Sequence, residues 1–118
     1  MREQVEINVG PDGEILLPFQ VREALGLRAG ELLSVLRQAL SLRLEIYSEF
    51  LADADAVLPQ YRWRYLEAFL SRPLASVGEE GDLGLPPGLL PLREGDRVIL
   101  ETVRRGLCHE IFLYRVED

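Results

Sequence analysis

Lysine is absent from this chain of 118 residues, and cysteine, histidine, methionine, asparagine and tryptophan occur once each. Each shortage excludes something. The single cysteine, Cys108, cannot form an internal disulfide and fits a reducing compartment. It stands next to the single histidine, His109, but neighbours in a strand point to opposite faces, so the two cannot act as nucleophile and base. One Cys and one His also fall short of the ligand set of a zinc site. No apolar run approaches the roughly 18 residues of a membrane span. The opening MREQVEINV lacks the apolar stretch of a signal peptide, so a cytoplasmic location is expected. There is no P-loop, no GxGxxG and no G-x-S-x-G. Asp53 with Asp55 and Glu79 with Glu80 read as solvated acids. Nothing points to an enzyme, a metal or a cofactor.

Charge of one sign is also scarce. All 13 basic residues are arginine, against 20 acids, for a net charge of −7. The deficit falls at both ends of the chain: residues 1–50 carry a net −3, residues 51–74 are balanced, and residues 75–118 carry −4. Such a chain has no global attraction for a phosphate backbone, so any nucleic-acid contact requires a local arginine cluster.

What is present centres on Val9 to Glu31, VGPDGEILLPFQVREALGLRAGE. Pro11-Asp12-Gly13 is turn chemistry. Ile15 and Leu17 alternate with Glu14 and Leu16 as a short strand. Pro18 suits the first position of a helix, Val21, Ala24 and Leu25 share one face of it, and Gly26 ends it. A helix this short is marginal alone and must pack on the strands beside it. Ahead of it, Val5, Ile7 and Val9 form one face of a first strand. Behind it, Glu31–Leu36 and Arg43–Tyr47 read as strands joined by a turn around Gln38 to Ser41.

The pattern then recurs. A shift of 68 matches Val9, Gly10, Gly13, Leu17 and Pro18 to Val77, Gly78, Gly81, Leu85 and Pro86. After a three-residue deletion the shift is 65, matching Leu25, Leu27, Arg28, Gly30, Glu45 and Ile46 to Leu90, Leu92, Arg93, Gly95, Glu110 and Ile111. This spacing is a duplication rather than a solenoid repeat. The second copy keeps the turn at Glu79 to Gly81, the strand at Leu83 and Leu85, and the turn at Arg93 to Asp96. It loses the helix, because PPGLLP cannot form a helix interior. Strands follow at Arg97–Val103 and Glu110–Val116, joined by the basic tip Arg104-Arg105-Gly106.

Between the copies, Phe50, Leu51, Ala54, Val57 and Leu58 sit at helical spacing, with Ser48 as the expected N-cap. Pro59 breaks or restarts the helix. Tyr61-Arg62-Trp63-Arg64-Tyr65 alternates like a strand, but Arg64 with Glu67 and the segment LEAFLS favour a helix ending before Pro73. Interleaved aromatics and arginines can hold nucleic acid. The favoured reading puts these rings in the core of a bridging helix, with the arginines reaching out to solvent.

A glycine turn, a short strand ending in Leu-Pro and then V-R-E-A-L-G-L-R-A-G-E resemble the DNA-binding module of the AbrB/MazE/SpoVT swapped-hairpin proteins. With two copies in one chain, the arrangement is similar to the MraZ proteins. The resemblance implies a mainly β fold with short helices: a pseudo-symmetric swapped β-hairpin barrel, made of one domain over 1–118. Residues 1–48 would be the first repeat, 49–74 a helical bridge and 75–118 a second, degenerate repeat. It also implies a DNA-binding transcriptional regulator, with Arg22, Arg28 and Arg93 near double-stranded DNA. Arg37 with Arg104 and Arg105 at the hairpin tips forms a rival phosphate cluster. At the positions after the turn glycines, where the family is basic, this sequence has Glu14 and Asp82. The alternative is therefore a protein-interaction or antitoxin-like module that has lost DNA binding and meets a basic protein partner. Leu89, Leu90 and Leu92 offer an apolar face that would support a homodimer.

Overall fold

The computed structural model describes residues 2–39, 41–54, 59–86, 88–106 and 108–116. Among these, eight strands and three short helices follow one another as β1 (Arg2–Asn8), β2 (Ile15–Leu16), α1 (Phe19–Leu25), β3 (Leu32–Gln38), β4 (Ser41–Ile46), α2 (Tyr47–Ala54), α3 (Pro59–Leu70), β5 (Leu74–Val77), β6 (Asp82–Gly84), β7 (Arg97–Arg105) and β8 (Cys108–Arg115). All pairings are antiparallel, in the order β1-β7-β8-β4-β3-β5-β6-β2. A bridge from Val9 to Ile15 brings the end of β1 back to β2, so the sheet is a nearly closed barrel. Closure removes the exposed edges that invite aggregation.

The first strand of each half pairs with the third strand of the other. Ile7 lies opposite Val98, and shifting these by 68 and back by 65 gives Ala75 opposite Leu33, which is the observed pair. Asn8 with Arg97 and Ser76 with Leu32 agree in the same way. The hairpins differ. Leu33 pairs with Ile46, whereas its counterpart Val98 pairs with Arg115, so the β7–β8 hairpin has four more residues than β3–β4. Glu45 and Ile46 therefore do not occupy the positions of Glu110 and Ile111; those two sequence matches are out of step with the strand register.

Period-two alternation fills the barrel. In β4, Leu42, Leu44 and Ile46 are buried while Ser41, Arg43 and Glu45 lie on the outer face. Leu42, Leu44, Val98, Leu100, Ile111 and Leu113 retain almost no exposure. Burying each such side chain is worth roughly 1.5–3 kcal/mol relative to exposure. α1 starts after Pro18, lays Val21 and Leu25 on this core, and stops at Gly26 in the left-handed conformation, φ 67°. Ala24 is exposed, so the buried face is narrower than the sequence spacing suggests.

α2 and α3 fold into a hairpin outside the barrel, and Pro59 restarts the helix as expected. Ser48 is not the N-cap of α2; it lies inside the helix, and its backbone N–H donates to the carboxylate of Glu31 at 3.1 Å. Val57, Leu58 and Asp55 lie outside the described residues, as do the side chains of Asp53 and Ala54. Phe69, fully buried, anchors the hairpin: its ring centroid is 4.4 Å from Phe50 and 5.3 Å from Tyr47. Phe50 stacks on Tyr65 at 4.4 Å and 8°. The other two rings are not in this core. Trp63 is 71% exposed and Tyr61 51%, which overturns the expectation of a buried aromatic stripe. Helical rather than strand periodicity turns Trp63 away from the face that holds 65 and 69, while Tyr61, one turn before Tyr65, is exposed in the first turn of α3. In the second half, the described residues between Gly84 and Arg97 carry no helix, and Pro87 lies outside them. No described helix is long and apolar enough to cross a membrane.

Candidate functional site

Four turns gather on the side of the barrel closed by β2 and β6, in two matched groups. In one, the turn after β1 meets the turn before β7: Val9 N–H donates to Asp96 O at 2.9 Å, and Gly95 N–H donates to Val9 O at 3.2 Å. In the other, the turn after β5 meets the turn before β3: Val77 N–H donates to Glu31 O at 3.0 Å, and Gly30 N–H donates to Val77 O at 2.7 Å. Each group presents one exposed arginine from the turn before the third strand, Arg93 or Arg28. The turns that carry Arg93 also carry Asp12, Glu14, Glu94 and Asp96, and those that carry Arg28 also carry Glu31, Glu79, Glu80 and Asp82.

Glu14 and Asp82 have a structural task. The carboxylate of Glu14 lies over Gly10, and that of Asp82 lies over Gly78, where an added Cβ would collide with them. Glu14 also accepts the N–H of Asp12 at 2.8 Å. The carboxylate thus folds back to satisfy its own turn, and Gly10 and Gly78 leave it room. Arg22 is likewise engaged. Its Nε donates to Leu17 O at 3.2 Å, and its guanidinium lies over Gly81, the turn glycine of the other half. Half-buried there, it serves the contact between halves rather than standing out as Arg28 and Arg93 do.

The hairpin tips do not form a joint arginine cluster. Arg37 is next to the tip of β3–β4, whose Ser41 lies opposite Tyr114, while Arg105 pairs with Cys108 at the other end of β8. Six residues of strand separate Cys108 from Tyr114, about 20 Å at roughly 3.3 Å per residue. The two hairpins run in opposite directions along one another, which the sequence alone did not reveal. Arg104 Nε donates to Gly106 O at 3.2 Å, and Arg105 Nε forms an ion pair with Glu110 at 2.9 Å.

Cys108 and His109 meet α2 instead of each other. The carboxylate of Glu49 accepts the His109 N–H at 2.8 Å and lies 2.7 Å from His109 Nδ1, and Cys108 Sγ approaches Glu49 O at 3.9 Å. This is a docking contact. Among the described residues no group of three His, Cys, Asp or Glu side chains is arranged to hold a metal ion.

The helical hairpin presents the remaining surface that the sequence missed. Trp63, Tyr61, Arg62 and Arg64 of α3 are exposed together in one turn of helix, locally basic on an acidic chain. The alternating ring–arginine spacing held the signal, and the helical period turns Trp63 outward. Compared with known proteins, this chain matches no family model, no curated protein and no solved structure.

Proposed function

We propose that this chain is a cytoplasmic protein-interaction module of the antitoxin or adaptor kind. It would consist of two swapped-hairpin copies in one chain and meet a basic partner through the turns beside β2 and β6. The observation that carries this reading is the charge at those turns: they carry eight carboxylates against Arg28 and Arg93, with Arg22 lying over Gly81. A phosphate backbone would meet a repulsive field there, whereas an arginine- or lysine-rich protein surface would be steered towards it. The matched strand registers support the two-copy reading, and one chain would then supply the pairing that single-module proteins reach by dimerising.

The test is fluorescence anisotropy at low salt with two probes, an arginine-rich peptide and a random DNA duplex. The peptide is expected to bind, to weaken with added salt, and to weaken roughly tenfold, or about 1.4 kcal/mol, in the double variant Glu79→Lys, Glu80→Lys. Salt-sensitive duplex binding that is lost in Arg28→Ala with Arg93→Ala would reverse the conclusion.

One observation favours a second reading, the AbrB-like DNA-binding transcriptional regulator: the exposure of Trp63 and Tyr61 beside Arg62 and Arg64. Nucleic acid would then lie along α3, where an exposed ring can stack a base for roughly 1–3 kcal/mol. Duplex or single-strand binding abolished by Trp63→Ala and indifferent to Arg28→Ala would establish it.

A further inference from the structure

The two halves differ most in what covers the core beside α1. Leu17, Leu25 and Leu27 are buried, at 5%, 9% and 5% exposure. Their counterparts Leu85, Leu90 and Leu92, together with Leu89, are only partly buried against the same core. The cause is the deletion in this segment: among the described residues of the second half, none lies on a helix in the place of Val21. The aliphatic floor remains while its cover is gone.

A cleft of about 550 Å³ opens at this place, lined by Leu89, Leu90 and Pro91 on one side and by Arg37, Gln38, Ser41, Tyr114 and Arg115 on the other. Its size falls within the roughly 300–1,000 Å³ of ordinary binding sites. The matched cleft beside α1 is smaller, about 410 Å³, and is walled by Gln20, Val21, Ala24 and Leu25 of that helix. Where the first cleft has Arg37, the matched one has Thr102, and its own arginine, Arg104, shares the lining with Glu3.

We propose that this cleft receives an amphipathic helix from a partner protein, with aliphatic side chains at i and i+4 and carboxylates at its flank. The first half supplies the template, since Val21 and Leu25 are an i, i+4 pair that cover the equivalent floor. Helix-in-groove recognition works through such anchors. Arg37 on the rim chooses an acidic helix over a basic one. It also opposes a second copy of this chain, since two such clefts face to face would set Arg37 against Arg37. Glu79 and Glu80 do not line this cleft, so binding there and binding at their turn can fail independently.

The probe is a fluorescent, hydrocarbon-stapled peptide copying residues 17–27 with Arg22→Glu, titrated into the full chain. Saturable binding at micromolar concentration is expected, weakened roughly tenfold by Arg37→Glu on the protein and unaffected by Glu79→Lys with Glu80→Lys. A chimera in which residues 18–26 replace residues 86–91 fills the cleft from within. It is expected to melt higher than the parent and to ignore the peptide. Binding indifferent to Arg37→Glu, or kept by a peptide with Val21→Asp and Leu25→Asp, would overturn the proposal. So would octanoate binding that depends on Arg37 while the peptide does not bind, which assigns the cleft to a small carboxylate. A light-scattering mass of two chains that falls to one on Leu90→Asp would assign it to a second copy.

Discussion

Replacing Phe69 with alanine removes the one aromatic side chain that is wholly buried outside the barrel, and it tests how the helical hairpin is held. Large-to-small changes at buried phenylalanines cost roughly 3–5 kcal/mol, as lost transfer energy plus an unfilled cavity. Here the walls are Phe50 at 4.4 Å and Tyr47 at 5.3 Å, both on the eight-residue helix α2, which can move inward and fill part of the space. That places the expected loss near the lower bound, about 3 kcal/mol. In a domain of this size each kcal/mol lowers the midpoint by roughly 4 °C, so Tm should fall by about 12 °C. The loss should appear in one cooperative transition, because α3 leads directly into β5, and Val35 N–H donates to Pro73 O at 2.8 Å in the connection. Thermal and urea unfolding followed by far-ultraviolet circular dichroism measure both quantities. A fall below about 4 °C, or an early helix transition that leaves the barrel midpoint unmoved, would show that Phe69 does not couple the hairpin to the sheet.

Two smaller perturbations separate backbone strain from crowding and test the exposed face of α3. Gly81→Ala must adopt φ +83° and also place its Cβ within 2.6–2.9 Å of the Arg22 guanidinium, whereas Gly106→Ala meets only φ +63° with nothing within 4 Å. The first should cost about 2–3 kcal/mol and the second about 1, by chemical denaturation; in an Arg22→Ala background the two costs should converge. Equal costs in the parent would refute the contact between Arg22 and the far turn. Trp63 should emit as in water and be open to acrylamide, with Trp63→Ala changing stability by less than about 0.5 kcal/mol; blue-shifted, protected emission would contradict its exposed position.

Local chemistry carried most of the architecture into the sequence. Pro18 and Gly26 bracket α1, the glycines of the four turns take positive φ where the sequence asks for it, and alternation in β1, β4 and β7 assigns the inner face. β5 was less legible: four residues after a proline carry too little pattern, and its place is set by pairing with β3. The candidate site was read less well, because it depends on distance rather than order. Arg37 and Arg105 both stand near hairpin tips, yet antiparallel pairing of β4 with β8 sends those tips apart. Glu14 and Asp82 read as plain acids at contact positions, and only the collision space above Gly10 and Gly78 shows that they close their own turns.

The features that occur once in the chain are linked to one another. Matching the hairpins rung by rung leaves Arg104–His109 and Arg105–Cys108 without counterparts beyond the last pair of β3–β4, Gln38–Ser41. Those two extra rungs add a grip on α2 to that of Glu31 on Ser48, through Glu49 on the His109 N–H and ring and through Cys108 on Glu49 O. The inserted helices are likewise present once. A longer hairpin on one side therefore has a physical reason: it extends the sheet by the two rungs needed to seat a helix that the other side does not have. At the other tip the shorter hairpin ends at the Gln38–Ser41 pair beside Arg37, and the described residues of the segment facing it carry no helix, so an aliphatic floor is left open under an arginine. One side of the barrel has gained a helical cover, and the other has become a cleft.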